Sequence, residues 1–143
     1  MPDVVGRLGD NVTMITVELA RALLHAGVLW EPRAGDRFVV DAELLTGDVF
    51  WISDLTVEVQ TYRDQSLLGF NGTTEWALDS VTLDQALWLP REDQLRELLG
   101  DRLEVVRRTE QGWEVAYAVQ PGYVRTVTDA DLECAYAQAL LTL

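Results

Sequence analysis

Tryptophan and acidic residues lie close together in the middle of the sequence. These are side chains that could bind a ligand or take part in catalysis. Glu75 and Asp79 flank Trp76, with Trp51 and Trp88 on either side of this group. Indole faces attract cations and stack on sugars, while carboxylates accept hydrogen bonds or bind divalent cations. A cleft lined by these residues would suit a cation or a sugar. A carboxylate pair could alternatively do acid–base work or hold Mg²⁺ or Ca²⁺.

The competing interpretation is that these residues are structural. Tryptophans at strand spacing are more often core residues than ligand contacts, and a chain with 24 acidic residues brings some of them near tryptophans by chance. Asp48 and Asp54 flank an apolar strand, but their spacing lacks the glycine and the terminal glutamate of an EF-hand loop. For this aspartate pair the sequence favours solvated loop ends.

Other reactive side chains are scarce. The chain has one histidine and one cysteine, and all 11 of its basic residues are arginines. A single sulfur cannot form an intramolecular disulfide or a thiolate metal site, and the absence of lysine excludes Schiff-base chemistry. We expect Cys134 to be a small buried side chain and His25 to lie on the polar face of a helix, near its negative end.

Short catalytic and cofactor-binding motifs are also missing. The sequence contains no G-x-x-x-x-G-K-[ST] loop, no G-x-G-x-x-G after a strand, no C-x-x-C, no H-E-x-x-H and no G-x-S-x-G. We therefore predict no catalytic residue, no metal and no cofactor.

The charge of the chain restricts its partners. The net charge is -13, and the acidic residues are spread along the whole sequence. Such a surface repels a phosphate backbone and anionic lipid, which disfavours nucleic-acid and membrane partners. The longest apolar runs are too short to cross a bilayer, and residues 1–13 lack the pattern of a signal peptide. We expect a soluble cytoplasmic protein.

The elements that must position these residues begin with a helix. Apolar residues recur at helical spacing from Ile15 to Ala26, Thr16 can cap the helix and Gly27 can end it. The residues before it, 1–13, are expected to form a mobile arm or, alternatively, an edge strand, and Met14 is an alternative start. Val28–Trp30 and residues 37–40 are predicted to be strands.

The middle of the chain predicts an antiparallel meander. Residues 49–52 are apolar on both alternations, which predicts a central strand covered on both faces. Strands over 66–70 and 73–78 would be joined by a tight turn at Asn71-Gly72. We predict a short helix over 79–87, and then a main helix that begins at Pro90 and ends at Gly100.

The last third predicts a second meander and a helix. Strands over 102–109, 113–120 and 122–127 are separated by the turn signals Glu110-Gln111-Gly112 and Pro121-Gly122. Residues 128–131 resemble a capping box, and the helix after them is apolar at helical spacing. The prediction is an α+β fold in a single domain over 14–143, with two antiparallel β-meanders and N-terminal, central and C-terminal helices.

Two blocks of this sequence carry a resemblance. They are FNGTTEWALDS, from Phe70 to Ser80, and WLPREDQL, from Trp88 to Leu95. In these blocks the chain resembles a family of short uncharacterised actinobacterial proteins that automated labels often call pilus assembly proteins. The resemblance runs from Met14 to the last helix, and it implies an orphan domain to which no catalytic residue is transferred.

Two hypotheses for function follow. The first is a non-catalytic module that binds a protein partner or forms a homodimer, because catalytic sets are missing and the outer strands of two meanders need cover. The second is a small-ligand or divalent-metal site formed by Trp51, Glu75, Trp76, Asp79 and Trp88.

Overall fold

The computed structural model describes residues 14–40, 49–52, 58–62, 65–69, 80–82 and 85–143. These residues form three α-helices and nine strands, so the predicted α+β class is confirmed. The helices are α1 (Val17–His25), α2 (Glu92–Leu99) and α3 (Leu132–Leu141). The strands are β1 (Arg37–Val40), β2 (Val49–Trp51), β3 (Glu58–Tyr62), β4 (Gln65–Gly69), β5 (Ser80–Thr82), β6 (Ala86–Leu89), β7 (Leu103–Thr109), β8 (Gly112–Gln120) and β9 (Tyr123–Asp129).

The described residues belong to two compact units. One unit contains those of Trp30–Leu89, and the other contains those of Thr13–Leu29 and Pro90–Leu143. The grouping of residues 14–143 into one domain stays a prediction. The predicted N-terminal arm, residues 1–13, lies outside the described residues.

The first unit has two three-stranded antiparallel sheets among its described residues, ordered β2-β1-β6 and β3-β4-β5. Among the described strands, β1 is central in the first sheet and β2 lies at its edge, so the prediction that residues 49–52 form the central strand is wrong. An apolar run indicates that both faces of a strand are buried, but it does not indicate how many neighbouring strands are hydrogen-bonded to it. In β1, Phe38, Val39 and Val40 are all buried.

The second sheet corrects the predicted hairpin. A two-residue turn at Asn71-Gly72 would pair Gly69 with Thr74, whereas Gly69 pairs with Ser80. Ten residues separate β4 from β5 in the sequence, and the register of these two strands is not that of a two-residue turn at Asn71-Gly72. The predicted strand over 73–78 lies outside the described residues. The three strands β3, β4 and β5 do form one of the two predicted meanders.

Two strands replace the helix predicted over 79–87. Ser80–Thr82 forms β5, and Ala86–Leu89 forms β6, which pairs with β1 along its whole length. Ala86, Leu87 and Leu89 are buried, so β6 is covered on both faces. In a strand that is covered on both faces, apolar and polar residues do not alternate. The periodicity of a short apolar run therefore cannot distinguish such a strand from a buried helix.

The loop before β1 is held by a buried carboxylate. One oxygen of Asp36, Oδ2, accepts hydrogen bonds from the indole Nε1 of Trp30 at 2.8 Å and from the backbone N–H of Arg33 at 3.0 Å. Asp36 is 1% exposed, and the Trp30 ring lies 5.7 Å from that of Phe38. The prediction of a strand over Val28–Trp30 is wrong, because this segment enters the Asp36 loop and makes no strand pairing.

In the second unit, α1 begins and ends where the sequence predicts. The Thr16 side chain accepts a hydrogen bond from the N–H of Leu19, and Gly27 follows the helix with a φ of 98°. The start of α2 lies two residues later than predicted, because Arg91 is the N-cap and Pro90 precedes it. The side chain of Gln94 accepts a hydrogen bond from the backbone N–H of Arg91 at 3.0 Å, which satisfies a donor at the helix start.

The strands β7, β8 and β9 form the other predicted meander. Gly112 opens β8 at a φ of 124°, and a Cβ atom there would lie 2.5 Å from the Cα of Ala130 and from the carbonyl oxygen of Asp129. Glycine is therefore required at this position both by its backbone angle and by the close approach of the β9–α3 connection.

Helix α3 is the centre of the second unit. It contacts α1, α2, β8 and β9, and four consecutive residues, Cys134 to Ala137, are buried. A helix that is covered all round in this way needs small side chains where its neighbours approach, and alanine supplies them at Ala135, Ala137 and Ala139. Asp131 caps α3 by accepting a hydrogen bond from the N–H of Cys134 at 3.0 Å.

One side chain of α3 connects it to the starts of both other helices. The carboxylate of Glu133 accepts a hydrogen bond from the backbone N–H of Ile15 at 2.9 Å and another from that of Glu92 at 3.2 Å. Ile15 directly precedes the N-cap of α1, and Glu92 is the first residue of α2. A negative charge at these positions is also favoured by both helix dipoles.

We predict that Glu133→Ala lowers the free energy of unfolding by about 2–4 kcal/mol, because it leaves two part-buried N–H groups without their charged acceptor. Urea unfolding followed by circular dichroism measures the change. Glu97→Ala, on the exposed face of α2, is the control and should change stability by no more than about 0.5 kcal/mol. Equal losses in the two variants would contradict the role given to Glu133.

Candidate interaction surface

The sheet of the second unit has one covered face and one face open to solvent. On β8, Val115 and Tyr117 point towards α3 and are buried, and the Tyr117 hydroxyl is hydrogen-bonded to the hydroxyl of Thr142. The outer face carries the alternate residues of β8, including Ala116 and Ala118, which are half-buried.

Aliphatic side chains flank the two alanines on this outer face. The register places Val105 of β7 beside Ala116 and Val124 of β9 beside Ala118. Val105 is 46% exposed and Val124 is 56% exposed. The outer face therefore combines small apolar residues in the middle strand with β-branched residues in the outer strands.

The same outer face is locally balanced in charge. Arg107 of β7 and Glu114 of β8 are register partners and form an ion pair there. Residues 103–129 carry four acidic residues and three arginines, a net charge of -1, whereas the whole chain carries -13. The sheet is therefore a nearly neutral surface on a strongly acidic chain.

The two edge strands of this sheet differ in their protection. In β7, Glu104, Arg107 and Arg108 are charged, and the pairing with β8 is interrupted by an irregularity near Leu103. In β9 the charges are Arg125 and Asp129, and the residues between them are threonine and valine. The pairing of β9 with β8 also has an irregularity, between Ala118 and Gln120, so the two edges differ in charge alone. Charged side chains protect sheet edges against pairing with another strand, and β9 has two where β7 has three.

The structure places two of the predicted ligand-binding residues and separates them. Trp51 is the register partner of Arg37, and Trp88 is the register partner of Phe38. Partners in antiparallel strands share a face, whereas consecutive residues point to opposite faces. Trp51 and Trp88 therefore lie on opposite faces of the sheet β2-β1-β6 and do not line one cleft.

The remaining predicted ligand-binding residues, Glu75, Trp76 and Asp79, lie outside the described residues. The indole N–H of Trp88 is shielded from solvent and has no hydrogen-bond partner among the residues that the structure describes. His25 is exposed in the last turn of α1, as the sequence predicts. Within the described ranges, no group of three or more histidine, cysteine or acidic side chains could hold a metal ion.

Cys134 lies in the interior of the second unit, as predicted. The residue is 4% exposed, and its Sγ donates a hydrogen bond to the carbonyl oxygen of Met14 at 3.6 Å. Burial raises the pKa of the Cys134 thiol to about 12. The thiol is therefore protonated at neutral pH and is not a nucleophile.

A tyrosine near the Glu133 contact is similarly held in its neutral form. Burial, and then the hydrogen bond with the Glu92 carboxylate, raise the pKa of Tyr136. Glu92 also pairs with Arg96 across one turn of α2, with 3.2 Å between nitrogen and oxygen. These groups are paired with one another around the start of α2, which fits a structural role.

Sequence reasoning missed the two carboxylates that hold the structure locally. Asp36 directly precedes the strand predicted over 37–40, and Glu133 lies in the predicted C-terminal helix. The partners of Asp36 are close in sequence, so the pattern of a tryptophan six residues before an aspartate was available as a signal. The contact of Glu133 with Ile15 spans 118 residues and has no local signal.

No helix in the described part of the chain is long and apolar enough to span a membrane. Comparison of the chain with protein-family models, curated proteins and solved structures found no match. A proposal for function therefore rests on the sequence and structure of this chain.

We predict that Cys134 in the folded protein reacts with a thiol reagent at about pH 8 at least a thousandfold more slowly than in the unfolded chain. A pKa of about 12 in place of 9.0 lowers the thiolate fraction by roughly that factor, and burial slows access further. Stopped-flow labelling with and without urea measures both rates. Comparable rates in the two states would show that the thiol is accessible in the folded protein.

Proposed function

We propose that this chain is a non-catalytic interaction module that associates with a second copy of itself through the sheet β7-β8-β9. The observation that carries this proposal is the exposed outer face of the sheet, with Val105 and Val124 beside two alanines. We also propose that the protein is cytoplasmic and that it belongs to the actinobacterial family that its sequence resembles.

Electrostatics supports the choice of this surface. Two copies that each carry -13 repel one another, so association is favoured where the approaching surfaces are least acidic. Residues 103–129, with a net charge of -1, carry little of that charge.

Sedimentation velocity between about 1 and 100 µM, the range in which modest homodimers dissociate, tests the proposal directly. We expect the sedimentation coefficient to rise with concentration for the unmodified protein. Val124→Asp should abolish the rise, because it places a charge on the exposed aliphatic patch.

Leu29→Asp is the matched control for that variant. Leu29 is 77% exposed, lies outside the sheet and receives the same change in charge. It should leave the association unchanged. A monomer at all concentrations, or equal weakening by both variants, would refute self-association through this sheet.

A small-ligand or divalent-metal site is the second candidate function, and one observation favours it. The shielded indole N–H of Trp88 lacks a partner among the described residues, and such a donor is costly to bury alone. A ligand acceptor would satisfy it. The candidate site consists of Trp88 with Glu75, Trp76 and Asp79, because Trp51 lies on the other face of its sheet.

A thermal-shift screen with divalent cations, sugars and quaternary amines tests this second candidate. A ligand at a hundred times its dissociation constant adds about 2.7 kcal/mol to the free energy of unfolding. Trp88→Phe keeps the apolar bulk but removes the N–H, so it should abolish the shift produced by a genuine ligand. No shift with any class would leave self-association as the only proposed function.

A further inference from the structure

Resting on the proposed self-association, we infer how the two copies meet: β9 pairs with β9 of a second copy, antiparallel and around a two-fold axis that passes through Val127. Arg125 of each copy then lies opposite Asp129 of the other. The two three-stranded sheets join into one sheet of six strands, with the outer faces continuous.

Burial decreases across the sheet from β8 to β9. Val115 and Val127 are register partners on the face that α3 covers. Val115 is completely buried, whereas Val127 in the neighbouring strand is only half-buried. The cover given by α3 therefore decreases at β9, and a further strand beside β9 would complete it.

The charge pattern of β9 favours one register. Arg125 and Asp129 are four residues apart, so they point to the same face with Val127 midway between them. A two-fold axis at Val127 places each arginine opposite an aspartate, and opposite charges on facing residues stabilise strand pairs. An axis at Arg125 would instead place two arginines opposite each other, and an axis at Thr126 would place Arg125 opposite Val127.

The other facing residues in this register are threonines. Thr126 of one copy lies opposite Thr128 of the other, and threonine pairs are favourable across strands. Both threonines are exposed on the outer face, where substitution disturbs no core contact. Asp129 also accepts hydrogen bonds from the N–H of Asp131 and from the side chain of Gln138, so its carboxylate is held in position at the strand end.

Disulfide trapping tests the register. Thr126→Cys and Thr128→Cys are prepared separately, mixed under mild oxidation and compared with each variant alone. Facing Cβ atoms across antiparallel strands are close enough for a disulfide, whereas atoms displaced by two residues are less well placed. We expect the mixture to form a heterodimeric disulfide at least about tenfold faster than either variant forms a homodimeric one. The unmodified protein, with Cys134 buried, should form none.

A charge variant tests the ion pairs independently. Arg125→Asp places like charges opposite each other twice in the dimer, and it should raise the dimer dissociation constant at least about tenfold. Arg21→Asp makes the same change in charge on the exposed face of α1 and is the control. It should change the dissociation constant less than threefold.

The possible results separate this inference from the proposed function. Self-association with preferred trapping in the mixture and a selective effect of Arg125→Asp supports the β9 pairing. The pairing is overturned if one cysteine variant alone is trapped faster than the mixture, or if the two arginine variants weaken association equally. If Val124→Asp still abolishes self-association in that case, the proposed function stands. A strict monomer that forms no disulfide refutes both.

Discussion

The carboxylate of Glu133 is the contact on which the helical part of the second unit depends. It receives backbone N–H groups from the start of α1 and the start of α2, two segments that are far apart in the sequence. Helix starts have unsatisfied donors, and a buried start without an acceptor is costly. By meeting this need at two helices at once, Glu133 fixes where both begin relative to α3.

With α1 and α2 fixed on α3, the sheet receives its helical layer on one side only. The inner face of β8 is closed by α3, while the outer face keeps small and β-branched side chains in contact with water. Charges are sparse and paired there, although the chain as a whole is strongly acidic. The division between a stabilising face and an available face is therefore a direct result of how the helices are arranged within this unit.

Local signals predicted the second unit well. The Thr16 cap, the two glycine turns between β7, β8 and β9, and the aspartate-rich start of α3 each specify a conformation through residues within one or two turns of chain. The first unit was predicted less well because its strands are short and apolar. β6 has no alternation that separates it from a helix, and Gly69 pairs with Ser80 across a connection that its sequence does not reveal. For the candidate site, the separation of Trp51 from Trp88 needed the strand register.

The distance in sequence between Ile15 and Glu133 also affects how the chain is made. At roughly 5 to 20 residues per second, about ten seconds pass on the ribosome between synthesis of α1 and synthesis of its partner α3. During that interval the nascent helix has Ala20 and Leu23 uncovered, and it must avoid binding other chains. Native contacts of such high contact order slow folding, so a chaperone that shields this segment would raise the yield of folded protein.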